Sequence, residues 1–315
     1  MRATIIVESQ KIIVTAGEPY TDIDGYACVL AYRGLLRLRG MDAEAVLPGP
    51  LNASVPLSLR SMGGDFLTAP TEPSGVFVVV DISQPDYIAK FVDQSRIVEL
   101  YDHHFKFEDY WHARLGEKAK IVPVGACATL VWEEYKNHGF EQSISENNAN
   151  LLVAAIVSNT LNFRSSMTHE RDRVAFADLQ SHISMPATWV VDYFKESEAE
   201  IFHDVSGSLA TDIKVVDAPD LGLTLVIGQI ELCDGNMFIE KYKEIIKKVL
   251  SGFGKEHWFM SVPSISENKN YFYTEDPISK KLLINAINAE FNGDVGTTNK
   301  LWMRKEILRD LKPVS

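Results

Sequence analysis

No apolar run in this chain approaches the ~20 residues needed to cross a bilayer, so a membrane-spanning helix is not expected. The first residues, MRATIIVESQ, lack the apolar core and cleavage site of a secretory leader. Cysteine is scarce. Cys28, Cys127 and Cys233 are scattered, two of them in segments of helical pattern, which suits small packing residues in a reducing compartment. Positive charge is short as well: 31 Lys and Arg stand against 43 Asp and Glu, a net charge of −12. That balance argues against a stable nucleic-acid complex, while leaving acidic side chains for divalent cations to neutralise. Repeats and low-complexity tracts are missing too. SGFGKEH (251–257) lacks the GxxxxGK[ST] spacing of a phosphate loop and reads as a helix terminator. Together these absences make a cytoplasmic location the expectation.

What is present is apolar material for two cores, 46% of 315 residues. From residue 1 to about 185, β-rich runs at 11–16, 76–81 and 96–100 alternate with helical patterns at 25–39, 126–138, 146–158 and 169–182. That alternation predicts an α/β domain, a parallel sheet with helices on both faces. The segment 184–202 has helical spacing and carries the chain onward. Beyond 205, strands at 213–216, 223–230, 257–262 and 270–274 mix with helices at 235–250 and 277–290, a smaller α/β unit. The expected division is 1–188, a helical linker at 189–204, and 205–315. The active site is expected in the cleft between the two domains, where ligand sites are favoured.

Acidic and imidazole groups recur where apolar runs end. YDHHF follows the strand-like RIVEL (96–100) and delivers Asp102, His103 and His104. Open parallel sheets keep their sites at such strand ends, and imidazole beside carboxylate suits a transition metal. In TAGEPYTDIDG (15–25), Gly17 and Pro19 break a strand before Asp22 and Asp24, ahead of a helix. Two carboxylates one residue apart can each face a different hard cation. VFVVVDIS (76–83) brings Asp81 to a strand terminus, where an unpaired carboxylate has little structural use. LLVAAIVSNTLNF (151–163) is apolar until Ser158, Asn159 and Thr160.

This order of motifs resembles the DHH phosphoesterases over nearly the whole chain. GACATLVWEEY (125–135) is similar to the small-residue helix start between that family's third and fourth motifs. TDIKVV (211–216), LVIGQIEL (225–232) and MRKEILRDLKP (303–313) resemble the C-terminal domain, of the DHHA2 type, of manganese-dependent family II inorganic pyrophosphatases, shared with prune-type exopolyphosphatases. The Gly-Gly-Gly-His signature usual in the nucleotide-cleaving branch is not found.

The resemblance implies two divalent ions, Mn2+ or Mg2+. It implies Asp22 and Asp24 as ligands to different ions, Asp81 as the bridging carboxylate and His103 as the second ion's imidazole. His104 would contact phosphate and assist proton transfer, and Asp102, also catalytic, would sit behind the ligands or near the metals. Lys214, Arg304 and Lys305 would clamp the distal phosphate, Arg as a bidentate fork and Lys as a point charge. Two positions depart from the pyrophosphatase pattern. Glu18 stands where a histidine ligand is usual, and Asn159 where an aspartate is. The carboxylate total among Glu18, Asp22, Asp24 and Asp81 remains four, so charge shifts toward an all-oxygen first site that favours Mn2+ or Mg2+.

The implied activity is hydrolysis of pyrophosphate or short polyphosphate by metal-activated water. Two other readings stay open: a phosphoesterase acting on a nucleotide or other ester, and a non-catalytic phosphate-anhydride binder, suggested by Glu18 and Asn159. A small phosphorylated substrate is the expected partner, with a homodimer as one option for assembly. Cys127 reads as helix packing, and His169 with Arg171 as a solvated helix start capped by Thr168. Arg164 is open between substrate contact and structure. His112, His138, His182, His203 and His257 show no ligand spacing.

Overall fold

The computed structural model describes residues 10–18, 20–72 and 74–312. The readings made on residues 1–9, Pro19 and Pro313 lie outside them. The chain divides into two compact units, 1–163 with 167–190, and 164–166 with 191–315.

The first unit is built on a five-stranded, wholly parallel sheet in the order β2-β1-β3-β4-β5. These strands are β1 (Ile12–Thr15), β2 (Ala43–Val46), β3 (Val76–Val80), β4 (Ile97–Asp102) and β5 (Ala119–Ile121). Runs such as IIVT and VFVVV bury nearly every side chain, as strands covered on both faces must. The helices are α1 (Ile23–Leu38), α2 (Leu57–Met62), α3 (Glu108–Leu115), α4 (Cys127–Asn137), α5 (Glu146–Asn159) and α6 (Glu170–Leu179). On one face, Ile13, Phe77, Val79 and Leu100 pack with Ile88, Val92 and Trp111 of α3. The other face is covered by α1 and α4, with α5 packed against both of these helices.

The strands at 11–16, 76–81 and 96–100 and the four expected helices are present; β2, β5, α2 and α3 were not foreseen. The segment ending at Asn159 is the C-terminal half of a helix, α5, which starts on a Ser145 cap. Thr168 is not the cap of α6: the His169 ring accepts from the Arg171 N–H, and Asp172 completes a capping box.

The second unit carries a six-stranded mixed sheet in the order β10-β11-β9-β8-β7-β6. Its strands are β6 (Ile213–Ala218), β7 (Leu223–Gln229), β8 (His257–Ser264), β9 (Lys269–Tyr273), β10 (Glu290–Asn292) and β11 (Val295–Thr298). The helices are α7 (Trp189–His203, which carries the chain across the boundary), α8 (Val205–Ala210), α9 (Gly235–Ser251), α10 (Pro277–Ile287) and α11 (Arg304–Asp310). Leu225, Ile227, Phe259, Phe272, Leu282 and Ile307 form its core.

Candidate metal centre

Four side chains at the carboxyl ends of β3 and β4 come together. Asp81, Asp102, His103 and His104 each place one ligand atom within 4.8 Å of the others. Asp81 follows β3 directly and adopts φ 61°, a left-handed conformation uncommon outside glycine. Its N–H donates to the Tyr101 carbonyl at 2.8 Å. Strain retained at a strand end beside a cluster of ligand atoms marks a functional position.

Asp24 joins this group through His103. The His103 Nε2 lies 3.4 Å from Asp81 Oδ1 and 3.7 Å from Asp24 Oδ2. Asp22 and Asp24 do not share a loop. Asp22 caps α1, its Oδ1 accepting the N–H groups of Asp24 and Gly25 at 3.1 and 3.0 Å. Asp24 therefore sits in the first helical turn, fully buried. Its carboxylate accepts the Cys127 and Ala128 N–H groups, both at 2.8 Å, from the start of α4, and the Cys28 thiol at 3.4 Å. Two backbone donors at a helix N-terminus stabilise a carboxylate where few side chains could reach it.

The histidine tautomers follow from their partners. His103 Nδ1 is 3.1 Å from the Val124 carbonyl, which can only accept, so Nδ1 carries the proton. The Nε2 lone pair then faces the carboxylates of Asp81 and Asp24. His104 Nδ1 meets Asp102 Oδ1 at 2.7 Å, and the same oxygen accepts the His103 N–H at 2.8 Å. Burial opposes ionisation of Asp102. The His104 imidazole, by charge and hydrogen bond, and the His103 N–H outweigh that and hold its carboxyl below the usual range. Asp81 is the opposite case. Burial, then the charges of Asp24 and Asp22, push its carboxyl well above the usual range.

These features fit a divalent cation. Asp81 Oδ1 and Asp102 Oδ2 are buried without a hydrogen-bond partner among the described residues. A lone pair on His103 and another on Asp81 confront each other at 3.4 Å, an arrangement that a proton or metal ion must bridge. One imidazole with several carboxylates is a donor set for Mn2+ or Mg2+.

The remaining expected residues lie in other settings. Glu18 is half-buried after β1, its Oε2 accepting the Lys90 N–H at 3.2 Å. Asn159 ends α5, followed by three left-handed residues, Leu161, Asn162 and Phe163. Lys214 lies on β6, and Arg304 and Lys305 open α11. Arg304 is engaged within its own unit, its Nη2 2.9 Å from Asp212 Oδ1. Arg164 Nη1 donates to the Ile265 carbonyl at 2.5 Å. Arg171 pairs with Glu133, as a structural helix start would have it, and Cys127 is fully buried.

Three contributors were invisible in the sequence: the N–H groups of Cys127 and Ala128, the Val124 carbonyl, and Asp172. The Asp172 carboxylate accepts from Gly125 N–H at 2.8 Å, His169 N–H at 2.7 Å and Thr129 Oγ at 2.6 Å. It thereby holds the loop that aims α4 at Asp24. The small residues of GACAT were the one available hint.

Fold and site together define the class: a parallel α/β unit with an Asp–His cluster at its strand ends that could hold a metal ion, joined in one chain to a mixed-sheet unit. No protein-family model matches the chain. It is 26% identical over 271 residues to a manganese-dependent inorganic pyrophosphatase, so named, of Bacillus licheniformis, covering 81% of this chain and 83% of that one. A similarly named protein of an Exiguobacterium strain is 26% identical over 244 residues, 74% of this chain and 75% of its own. A solved Methanococcus jannaschii structure described as a family II inorganic pyrophosphatase superposes with TM-score 0.74 at 19% identity. It covers 95% of this chain and 99% of that one. The resemblance read from the motifs is borne out: the relatives carry that family's name, and the α/β fold is the one its solved member adopts.

Proposed function

We propose that this protein is a metal-dependent phosphohydrolase that cleaves the anhydride bond of pyrophosphate or a short polyphosphate. The observation that carries this reading is the convergence of Asp24, Asp81 and His103, with Asp81 Oδ1 buried and accepting no hydrogen bond among the described residues. The names of the relatives, manganese-dependent inorganic pyrophosphatases, support the same substrate and metal. Asp24, Asp81 and His103 are the proposed core ligands, with Asp22, Glu18 and Asn159 completing the set. Two divalent ions, Mn2+ or Mg2+, would supply an acidified water and neutralise charge on the phosphoryl oxygens.

The chain's own residues then divide the remaining work. Asp102 fixes His104 through Nδ1, which leaves Nε2 as the atom that exchanges a proton with water or phosphate. The Cys127 and Ala128 N–H groups hold the Asp24 carboxylate in place. Lys214, Arg304 and Lys305 are the proposed phosphate-binding cations of the second unit, compensating substrate charge that an acidic chain would otherwise repel. The three unpaired cysteines accord with a cytoplasmic setting.

Phosphate release from pyrophosphate, tripolyphosphate and a nucleotide panel, with Mn2+ or Mg2+ added, tests the proposal. Turnover of the anhydrides is expected. Turnover of esters alone would replace it with the phosphoesterase reading. Tight anhydride binding without turnover would favour the non-catalytic binder, for which the departures at Glu18 and Asn159 speak.

A further inference from the structure

The start of α11 is held in an unusually specific way. Arg304 Nη1 donates to the Asp212 carbonyl at 2.8 Å and to the Ile227 carbonyl at 3.3 Å, while Nη2 reaches Asp212 Oδ1 at 2.9 Å. One residue therefore grips the guanidinium through main chain and side chain together. The Arg304 backbone is fixed separately, its N–H donating to Gln229 Oε1. Gln229 is itself tied down, its Nε2 donating to Glu231 Oε1 at 2.5 Å and its N–H to the Asp212 carbonyl at 3.2 Å. The Arg304 side chain is 11% exposed and that of Asp212 18%, so solvent screens this pair little.

A surface arginine gives up rotamer freedom when it binds an anion. Arg304 has already been ordered by its own unit. An arginine whose only role was to join α11 to the sheet would not need its backbone amide and both ends of Asp212 engaged. We propose that Asp212 is a positioning residue for phosphate recognition: it orients the Arg304 guanidinium, and with Gln229 the first turn of α11, toward the anionic substrate. This rests on the reading above that Arg304 and Lys305 bind phosphate.

The experiment is a double-mutant cycle in Mn2+-dependent pyrophosphate hydrolysis, comparing wild type, Asp212→Asn, Arg304→Gln and the double variant. Asp212→Asn is expected to raise KM about tenfold with kcat within about twofold, the size of one lost charge-assisted contact. Arg304→Gln should raise KM at least as much, and the double variant no further. Asp212→Glu should restore part of the loss. An unchanged or lowered KM in Asp212→Asn would overturn the proposal, a lowered one meaning that Asp212 competes with substrate. Additive KM effects in the double variant would overturn it too, since Asp212 would then act without Arg304. Should Asp212→Asn not fold, Gln229→Met removes the acceptor of the Arg304 N–H at nearly constant volume; a KM rise of about threefold supports the proposal. A folded Gln229→Met with wild-type KM would sink it. Absence of turnover in the wild type removes the functional reading itself, whereas wild-type turnover with an unresponsive Asp212→Asn removes only this inference.

Discussion

The two units treat charge in opposite ways. In the first, Asp24, Asp81 and Asp102 are brought together in the interior. Their hydrogen bonds come from backbone N–H groups, the Cys28 thiol and the His104 imidazole, and Asp81 Oδ1 and Asp102 Oδ2 accept none among the described residues. In the second, the guanidinium of Arg304 is matched within its unit by Asp212 and two carbonyls. The difference separates a cluster proposed to take a cation from outside the chain from one that fixes its own cation in place. Like-charged carboxylates in an apolar setting destabilise the fold until something neutralises them. A guanidinium ordered by its neighbours instead loses less entropy when an anion arrives.

The strongest way to break this comparison is to remove the charge at Asp81. Asparagine tolerates the left-handed backbone at that position, so Asp81→Asn isolates charge from strain. The proposed role of Asp81 as a shared ligand predicts that kcat/KM for pyrophosphate falls by about 10^3 or more. The metal-free variant should meanwhile be more stable than wild type by about 1–2 kcal/mol at pH 8, with a smaller stabilisation by Mn2+. The sign follows from the raised carboxyl of Asp81: the penalty of ionising it grows as pH climbs above the ordinary carboxylate range. Denaturant unfolding with EDTA or with Mn2+ measures both. A variant that loses activity yet shows wild-type stability in both conditions would mean that the carboxylates are not an unbalanced metal site.

A smaller effect is expected at Asp102, which does its work through His104. Asp102→Asn keeps the shape but weakens the hold on His104 Nδ1, and should lower kcat by about 10- to 100-fold. The pH profile of kcat should lose its His104 limb or move it to lower pH, since the imidazolium is no longer stabilised by a neighbouring anion. A uniform loss of rate with an unaltered profile would limit Asp102 to holding the loop.

The same contrast explains what the sequence made legible. Apolar β-rich runs that stop at an acid or a histidine are local signals, so Asp22, Asp24, Asp81 and the 102–104 triplet could be picked out one by one. Their convergence needed β1, β3 and β4 side by side; the alternation of strand and helix predicted a parallel sheet but not that strand order. Short strands such as AEAV and AKI carry too little β-branched character to announce β2 and β5. Backbone donors have no residue signature, so the amides of Cys127 and Ala128 went unseen beneath the packing role read for Cys127. Asp172 lies 47 residues from the glycine amide it accepts, and Asp212 lies 92 from Arg304, separations at which no local pattern speaks. Arg304 was read as a phosphate ligand; its engagement by Asp212 was not.

Gly125 tests how much of the first unit's centre depends on that concealed support. A methyl group there would come within 2.6 Å of Asp172 Oδ2 and of Thr160 Cγ2. Gly125→Ala is expected to destabilise the protein by about 1–3 kcal/mol, as overpacking of a buried site does. If the loop is the aiming device for α4, Mn2+ affinity should fall along with stability. Lost stability with wild-type metal affinity would show that Asp24 is held independently of Asp172.

The gentlest test belongs to the second unit, at Glu231. Burial, then the neighbouring charge of Asp212, raise its carboxyl from the ordinary 4.5 to about 7, while Gln229 and Arg304 pull the other way. The folded chain therefore keeps a proton that the unfolded chain releases between those two values. Stability from this group is fully present below about 4.5 and is lost as pH rises through about 7. Glu231→Gln should be nearly indistinguishable from wild type at pH 5 and more stable by about 1–2 kcal/mol at pH 8, measured by urea unfolding without metal. A variant less stable than wild type at pH 8 would mean that the ionised carboxylate is bound favourably by Arg304. The second unit would then hold two compensated acids around one guanidinium, and its contrast with the Asp81 centre would sharpen.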